Sequence, residues 1–294
     1  MMRITTASLN ATTERNLQVA MNRLATVQNK AGTQKEIGRP SDDPSGTANA
    51  MAIRAQQRQN DQLMRNVQDA NGWLSTADKA LSTTTDLLQQ LRDATVKGAN
   101  SGALDPNARE AIALELEQLH DSLIAVANTE FTGRHIFAGT SDASTAVDAG
   151  YNFSGSGNTG VVERRIGTNS SIRVDVEGAD LFGEGNASVF ALVNNIVADL
   201  RGGTNIGNRI AEVDKFMQNA LGVHSTIGAS HAAVLAADES LLGDAVSLES
   251  QRSLIEDIDL GSVALQLKTQ ELGYQAALSA AARTLQPSLM DFLR

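Results

Sequence analysis

The stretch IGNRIAEVDKFMQNALGVHSTIGASHAAVLAADESLLGDAVSLESQRSLIEDID, residues 206–259, decides the fold class. Along it Ile206, Val213, Ala220, Ile227, Val234, Leu241, Leu248 and Ile255 recur every seven residues without a miss, the period that keeps one apolar seam turned towards a partner helix. A half-buried strand would alternate at two, so the stretch reads as one long helix. A second long helix lies upstream. It opens at Asp43-Pro44, where Asp43 can cap and Pro44 loses no hydrogen bond at the first helical position, and it runs to about Lys97. Its stripe is Leu63, Val67, Ala70, Leu74, Ala77, Leu81, Leu88 and Leu91. Gly98 to Leu104 reads as a turn, and Asp105-Pro106 repeats the cap-plus-proline start for a third helix with Ile112, Leu116, Leu119, Leu123 and Val126 on its apolar face.

Both ends of the chain carry amphipathic helices. Leu17, Ala20, Leu24, Val27 and Ala31 step by three and four until Gly32, and Leu260, Ala264, Leu267, Tyr274, Leu278, Ala281 and Leu285 do the same at the other end. Between them the character changes at Phe131. Six of the ten aromatic residues lie from Phe131 to Phe190, together with many glycines and the alternating runs Val162-Arg164-Ile166 and Ile172-Val174-Val176, which read as short strands. Helix resumes near Asn186 and breaks at Gly202-Gly203. The layout is therefore helices, a small β-rich insert, then helices again, and it folds back most simply as an antiparallel bundle. Residues 1–60 hold eight Lys/Arg against four Asp/Glu, and residues 238–294 hold four against nine, which favours pairing of the two ends. The expected boundaries are 1–39 with 260–294 for the terminal helices, 40–135 and 186–259 for the helical body, and 136–185 for the insert.

Composition removes several functions. Aromatics make up 3% of the chain while alanine alone supplies 42 residues, which suits slender, closely packed helices. Without cysteine there is no disulfide framework, thiolate nucleophile or ordinary structural zinc site. A formal charge of -10 opposes phosphate, so no nucleic acid partner is expected. No apolar leader follows the start and no window approaches the ~20 apolar residues of a membrane span, so no membrane insertion is expected. The chain is read as cytosolic or exported without a cleaved signal peptide.

The candidate chemical motifs have plainer explanations. Gly155-Ser156-Gly157-Asn158-Thr159-Gly160 matches GxGxxG, but a strand follows it where a dinucleotide site needs a helix, so it reads as a hairpin turn. His224 and His231 lie seven apart, too far along a helix to share one metal ion; they read as polar residues between helices, with a pH switch as the alternative. His120 and His135 suggest no triad. Asp42 and Asp43 read as a helix cap rather than an acid–base pair, and Trp73 as a packing residue or a rim contact to a neighbouring subunit. No catalytic residue, cofactor or metal site is expected, and the chain is read as a non-enzyme.

Four segments carry a family resemblance: MRITTASL (2–9), GRPSDDPSGTANAMAIR (38–54), ANTEFTGRHIFAGT (127–140) and YQAALSAAARTLQPSLMDFLR (274–294). They resemble the flagellin-type axial proteins of bacteria, most closely the hook-associated protein 3 family of the hook–filament junction, over both ends and the helical core. A flagellin would be expected to show K-D-D-A-A-G in place of Ser41 to Gly46 and a shorter S-L-L-R-like end. The departure is the extra Met1 before Met2-Arg3. The resemblance implies an elongated, mainly α, flagellin-like bundle with an outward β insert, and terminal helices that are disordered in the free subunit and fold on assembly. On that basis Leu17, Leu24, Val27, Leu260, Leu267, Tyr274, Leu278 and Leu285 are the expected assembly interface. The implied partners are the neighbouring hook-associated junction protein, flagellin, other copies of the chain in a ring, and an export chaperone with the type III export apparatus; the implied location is the extracellular flagellum. A short flagellin is the nearest alternative, and a cytosolic coiled-coil scaffold a more distant one.

Overall fold

The computed structural model describes residues 6–100, 105–154 and 160–285. In order these form α1 (Thr6–Thr33), α2 (Pro44–Ala99), α3 (Pro106–Ala127), β1 (Glu130–Phe131), β2 (Arg134–His135), β3 (Glu163–Arg165), β4 (Ser171–Arg173), α4 (Gly178–Phe182), α5 (Val189–Arg201), α6 (Arg209–Glu256) and α7 (Leu260–Leu285). The chain is mainly α with a small β-rich insert. It divides into two compact units, Asn60–Gly243 and Met1–Gln59 with Asp244–Arg294. The end motifs at 1–5 and 286–294, most of the glycine run at 155–160 and the turn expected at 101–104 lie outside the described residues.

Within Asn60–Gly243, α2 and α6 lie antiparallel. Leu63, Val67, Ala70, Leu74, Ala77, Leu81, Leu88 and Leu91 are buried on α2, and Val213, Ala220, Ile227, Val234 and Leu241 on α6, with Ile206 just before it. Polar pairs flank this seam and fix its register. His224 Nε2 lies 2.8 Å from Asp78 Oδ1, His231 Nε2 lies 2.7 Å from Asn71 Oδ1, Asn60 Nδ2 donates to the Leu241 carbonyl at 2.9 Å, and Arg92 Nε donates to Asp214 at 2.7 Å. The histidines thus sit between helices.

The helix starts follow the local chemistry. Asp43 Oδ1 accepts from Gly46 N at 2.9 Å ahead of Pro44, and Asp105 Oδ1 accepts from Ala108 N at 2.6 Å ahead of Pro106. The Gly46 amide, followed by the Ser45 hydroxyl, holds the Asp43 carboxyl below its ordinary pKa. α3 turns Leu116, Leu119 and Leu123 inward and packs with α5, which buries Val193, Ile196, Val197 and Leu200. Trp73 is buried edge-on to Phe131, a core residue and not a rim contact.

The insert is two short antiparallel hairpins, β1–β2 and β3–β4, the second pairing Glu163 with Arg173 and Arg165 with Ser171. Pairing is shorter than the alternating runs led us to expect, because Val174 and Val176 leave the ladder to join the aromatic core. That core stacks Phe153 on Phe182 and Phe182 on Phe190, at ring separations of 5.8 and 5.5 Å. A Cβ on Gly178 would lie 2.2 Å from the Phe153 ring, so α4 must open on glycine.

Among the described residues, α6 is long and apolar enough to cross a membrane by length and composition. This corrects the expectation that no such stretch exists: residues 216–237 carry no charge. One face of that stretch packs on α2 through Ala220, Ile227 and Val234.

Glycine substitutions test the packing. A Cβ on Gly98 would meet Ile206 Cδ1 at 2.8 Å and Leu200 Cδ2 at 2.9 Å, both in the core, whereas one on Gly222 or Gly228 meets nothing within 4 Å. Gly222→Ala and Gly228→Ala should each stabilise α6 by ~0.5–1 kcal/mol in thermal melts. Gly98→Ala should instead destabilise, its overpacking cost of ~1–3 kcal/mol outweighing the same helix gain.

Candidate functional site

The terminal helices α1 and α7 pair with one another in the unit formed by Met1–Gln59 and Asp244–Arg294. Both are formed within the single chain. On α1 the half-buried positions include Leu17, Ala20, Leu24, Val27 and Ala31, the stripe expected from the sequence. On α7 the inward positions are Val263, Leu267, Gln270, Tyr274, Ala277 and Ala281. Leu267 and Tyr274 are thus brought to the seam with Leu17, Leu24 and Val27. Leu260 and Leu278 are not: they are 60% and 42% exposed, and Ala264 is exposed beside them. Counting three and four from Leu260 gave a row on one flank of the helix, whereas the buried row starts at Val263. Polar Gln270 and small Ala277 hid it from a search for large apolar side chains; stepping backwards from Tyr274 would have found it. The side chain of Leu285 lies outside the described residues.

The sequence reading also missed the far face of α7, where Leu265 and Leu272, seven residues apart, are 72% and 57% exposed. On α1, Val19 and Met21 are exposed as well. Isolated apolar side chains on a surface are ordinary, but several on a thin helical pair make a surface suited to covering by another protein.

The linkers beside this pair are joined to each other. Lys35 and Asp257 form an antiparallel bridge, Glu36 N donates to the Glu256 carbonyl at 2.7 Å, and Ile258 N donates to the Gln34 carbonyl at 3.4 Å. The Glu256 side chain, 4% exposed, accepts from Lys35 Nζ at 2.8 Å and from Arg54 Nη2 at 2.7 Å, both on Oε2. Burial pushes the Glu256 pKa up, but the hydrogen bonds from Arg54 and Lys35 more than reverse this and hold it below the usual carboxylate value.

The remaining polar groups are structural. His120 lies 3.2 Å from the Tyr151 hydroxyl and edge-on to the Phe190 ring, and His135 is buried 3.1 Å from the Asn128 carbonyl. A cavity of about 170 Å³ beside Arg173, Asp175, Glu177 and Asp180 is smaller than usual small-molecule sites, and Arg173 already bonds to Asp175 and Glu177. Among the described residues no cluster of three or more His, Asp or Glu is placed to hold a metal ion.

Comparison with known proteins places this architecture. Residues 4–142 match the bacterial flagellin N-terminal helical region. A flagellin of Bacillus subtilis is 27% identical over 90% of this chain and 91% of its own length. Flagellar hook-associated protein 3 of Salmonella typhimurium is 24% identical over 83% of this chain and 85% of its own. A solved Vibrio parahaemolyticus protein described as flagellar hook-associated has the same fold, with a TM-score of 0.67 at 20% identity over 73% of this chain and 99% of that one. The chain is thus similar to flagellins and to hook-associated protein 3 over most of its length. The resemblance to hook-associated protein 3 read from its motifs is borne out by these relatives.

Three aspartate substitutions separate the roles of the apolar positions. Leu81→Asp places a charge in a fully buried site and should unfold the subunit, at a cost of several kcal/mol. Leu24→Asp should loosen α1 from α7, seen as faster amide exchange in both helices, while the Asn60–Gly243 core keeps its protection. Leu278→Asp, on the exposed flank, should leave the folded chain within ~0.5 kcal/mol of the original in denaturant melts.

Proposed function

We propose that this chain is a non-enzymatic structural subunit of the bacterial flagellum that joins the hook-side junction ring to the flagellin filament. The observation that carries this reading is the α1–α7 pair, whose two helices hold each other through a half-buried seam while α7 turns Leu260, Leu265, Leu272 and Leu278 to solvent. A pair built this way has its internal partner and still has apolar surface for neighbours. Leu17, Leu24, Val27, Leu267 and Tyr274 keep the pair together; Leu260 and Leu278 meet adjacent subunits. In this reading 1–39 with 260–294 is the assembly element, 40–135 and 186–259 the body, and 136–185 the insert. Copies of the chain form a ring, with the hook-associated junction protein on one side and flagellin on the other. Delivery to the extracellular flagellum is through the type III export apparatus with an export chaperone.

A second reading, a filament subunit, is favoured by the flagellin of Bacillus subtilis, which is similar over most of both chains. Gene deletion separates the two. Cells lacking the junction subunit should keep hooks, lack filaments and shed unpolymerised flagellin into the medium. Hooks without shed flagellin would identify the chain as the filament protein, and intact filaments would refute both readings. Restoring the gene with Leu278→Asp should leave filament number far below that of the complemented wild type, because a covered leucine contributes ~1.5–3 kcal/mol and an unpaired buried charge adds a larger penalty.

A further inference from the structure

The face of α6 turned away from α2 carries a row of its own. From Lys215 to Glu239, steps of three and four fall on Gln218, Gly222, Ser225, Ala229, Ala232 and Ala236, all of them exposed. The row is uncharged between its ends and runs ~36 Å along the helix. Lys215 and Glu239 are themselves exposed, and neither has an ion-pair partner among the described residues. Beside the row Leu221 and Leu235 stand half-exposed, and a Cβ on Gly222 or Gly228 would meet nothing within 4 Å, so the face is open.

The two end charges decide what this face fits. They are opposite in sign, so a second α6 laid antiparallel, about a two-fold axis level with Ile227, sets Lys215 of each copy against Glu239 of the other. In that register Gly222 faces Ala232, Ser225 faces Ala229 and Gln218 faces Ala236 across the axis, so each layer includes a small side chain and the helices can approach closely. Leu221 of each copy falls beside Leu235 of the other and covers it. A parallel copy in register would instead set lysine on lysine and glutamate on glutamate, and sliding it until the charges matched would take the small rows ~36 Å out of contact. Copies with a formal charge of -10 repel one another as wholes, and the uncharged row is where approach costs least. We infer that the unassembled chain forms an antiparallel two-fold dimer through this face of α6, held in register by two Lys215–Glu239 pairs. One helix pair of this length buries less than a standard interface, so the dimer is weak and forms at high concentration. A ring whose copies all run the same way has no place for an antiparallel pair; the contact therefore precedes assembly and gives way to it. It uses no residue of α1 or α7, and it holds for a junction subunit and a filament subunit alike.

The test is sedimentation equilibrium of the full chain at pH 7 and low salt, from micromolar to millimolar concentration. The wild type should show a monomer–dimer equilibrium that weakens as salt is added. Lys215→Glu and Glu239→Lys should each weaken dimerisation by about tenfold or more, because each turns two attractive pairs into two repulsive ones, and the double swap should restore it. Ala229→Glu should give a monomer with an unchanged melting temperature. The chain has no cysteine, so cross-linking reads the direction of the pair. Gly222→Cys and Ala232→Cys in one chain lie ~15 Å apart along the helix and cannot join each other, yet on oxidation they should link two copies, whereas Gly222→Cys alone should not. A chain that stays monomeric throughout, or a dimer indifferent to both single charge swaps, would overturn the inference and leave this face to a different protein or none. Equally ready cross-linking of Gly222→Cys alone would overturn it in favour of a parallel pair.

Discussion

A helix that fully buries one residue in seven, as α6 does against the three-four stripe of α2, has little apolar area to hold it, and a heptad repeat does not say which heptad should face which. The α2–α6 pairing within Asn60–Gly243 meets both difficulties. Its buried row is continuous but slender, from Leu63 to Leu91 on one side and Val213 to Leu241 on the other. Polar residues at its edges supply what the row lacks. A slide of α6 by one heptad, ~10.5 Å, would superimpose its apolar stripe on itself. It would also place Arg92 opposite Leu221 or Gly207 instead of Asp214, and Asn71 opposite Asp238 or His224 instead of His231. Each partly exposed pair is worth only ~0–1 kcal/mol. Their value lies in making the other registers worse, and with one register selected, α3, α5 and the aromatic insert have a defined surface to pack on.

How much of this could be read in advance depended on whether a feature was local. The heptads, the Asp-Pro helix starts and the change of composition at Phe131 are set by neighbouring residues and physical periodicity, and the structure places them accordingly. The partners of the histidines were not legible. A sequence shows that His224 and His231 share one face of α6, but Asp78 and Asn71 come from 146 and 160 residues away. Glu256 is a stronger case, since nothing near it in sequence distinguishes it from the exposed acids around it; its burial exists only once Lys35 and Arg54 have arrived.

The inner face of α7 was misread for a different reason. Large apolar side chains are the usual marker of a helix core, and on α7 they lead to the flank and the far face, while Ala277 and Gln270 occupy seam positions. Small side chains let two helices come close together, so little side-chain volume is needed between them. The residues expected at an assembly interface therefore fall into two groups in this chain: those that hold α1 to α7, and those the pair leaves exposed.

That division bears on why the charge-free run of α6 and the leucines of α7 are tolerated at a surface. An exposed leucine adds nothing to the stability of the chain that carries it, so Leu265 at 72% and Leu272 at 57% exposure have no account in the fold itself. Leu221 and Leu235 stand half-exposed on the uncharged part of α6 in the same way. A charge at such positions would make the free subunit more soluble, yet it would have to be desolvated each time a neighbour covered it, at a cost that surface ion pairs seldom repay. An alanine- and leucine-rich helix with few charges accepts a neighbour without that penalty. The low aromatic content of the helices suits the same end: slender side chains permit close approach without the deep complementary pockets that aromatic anchors require, which fits a subunit read as meeting several different neighbours.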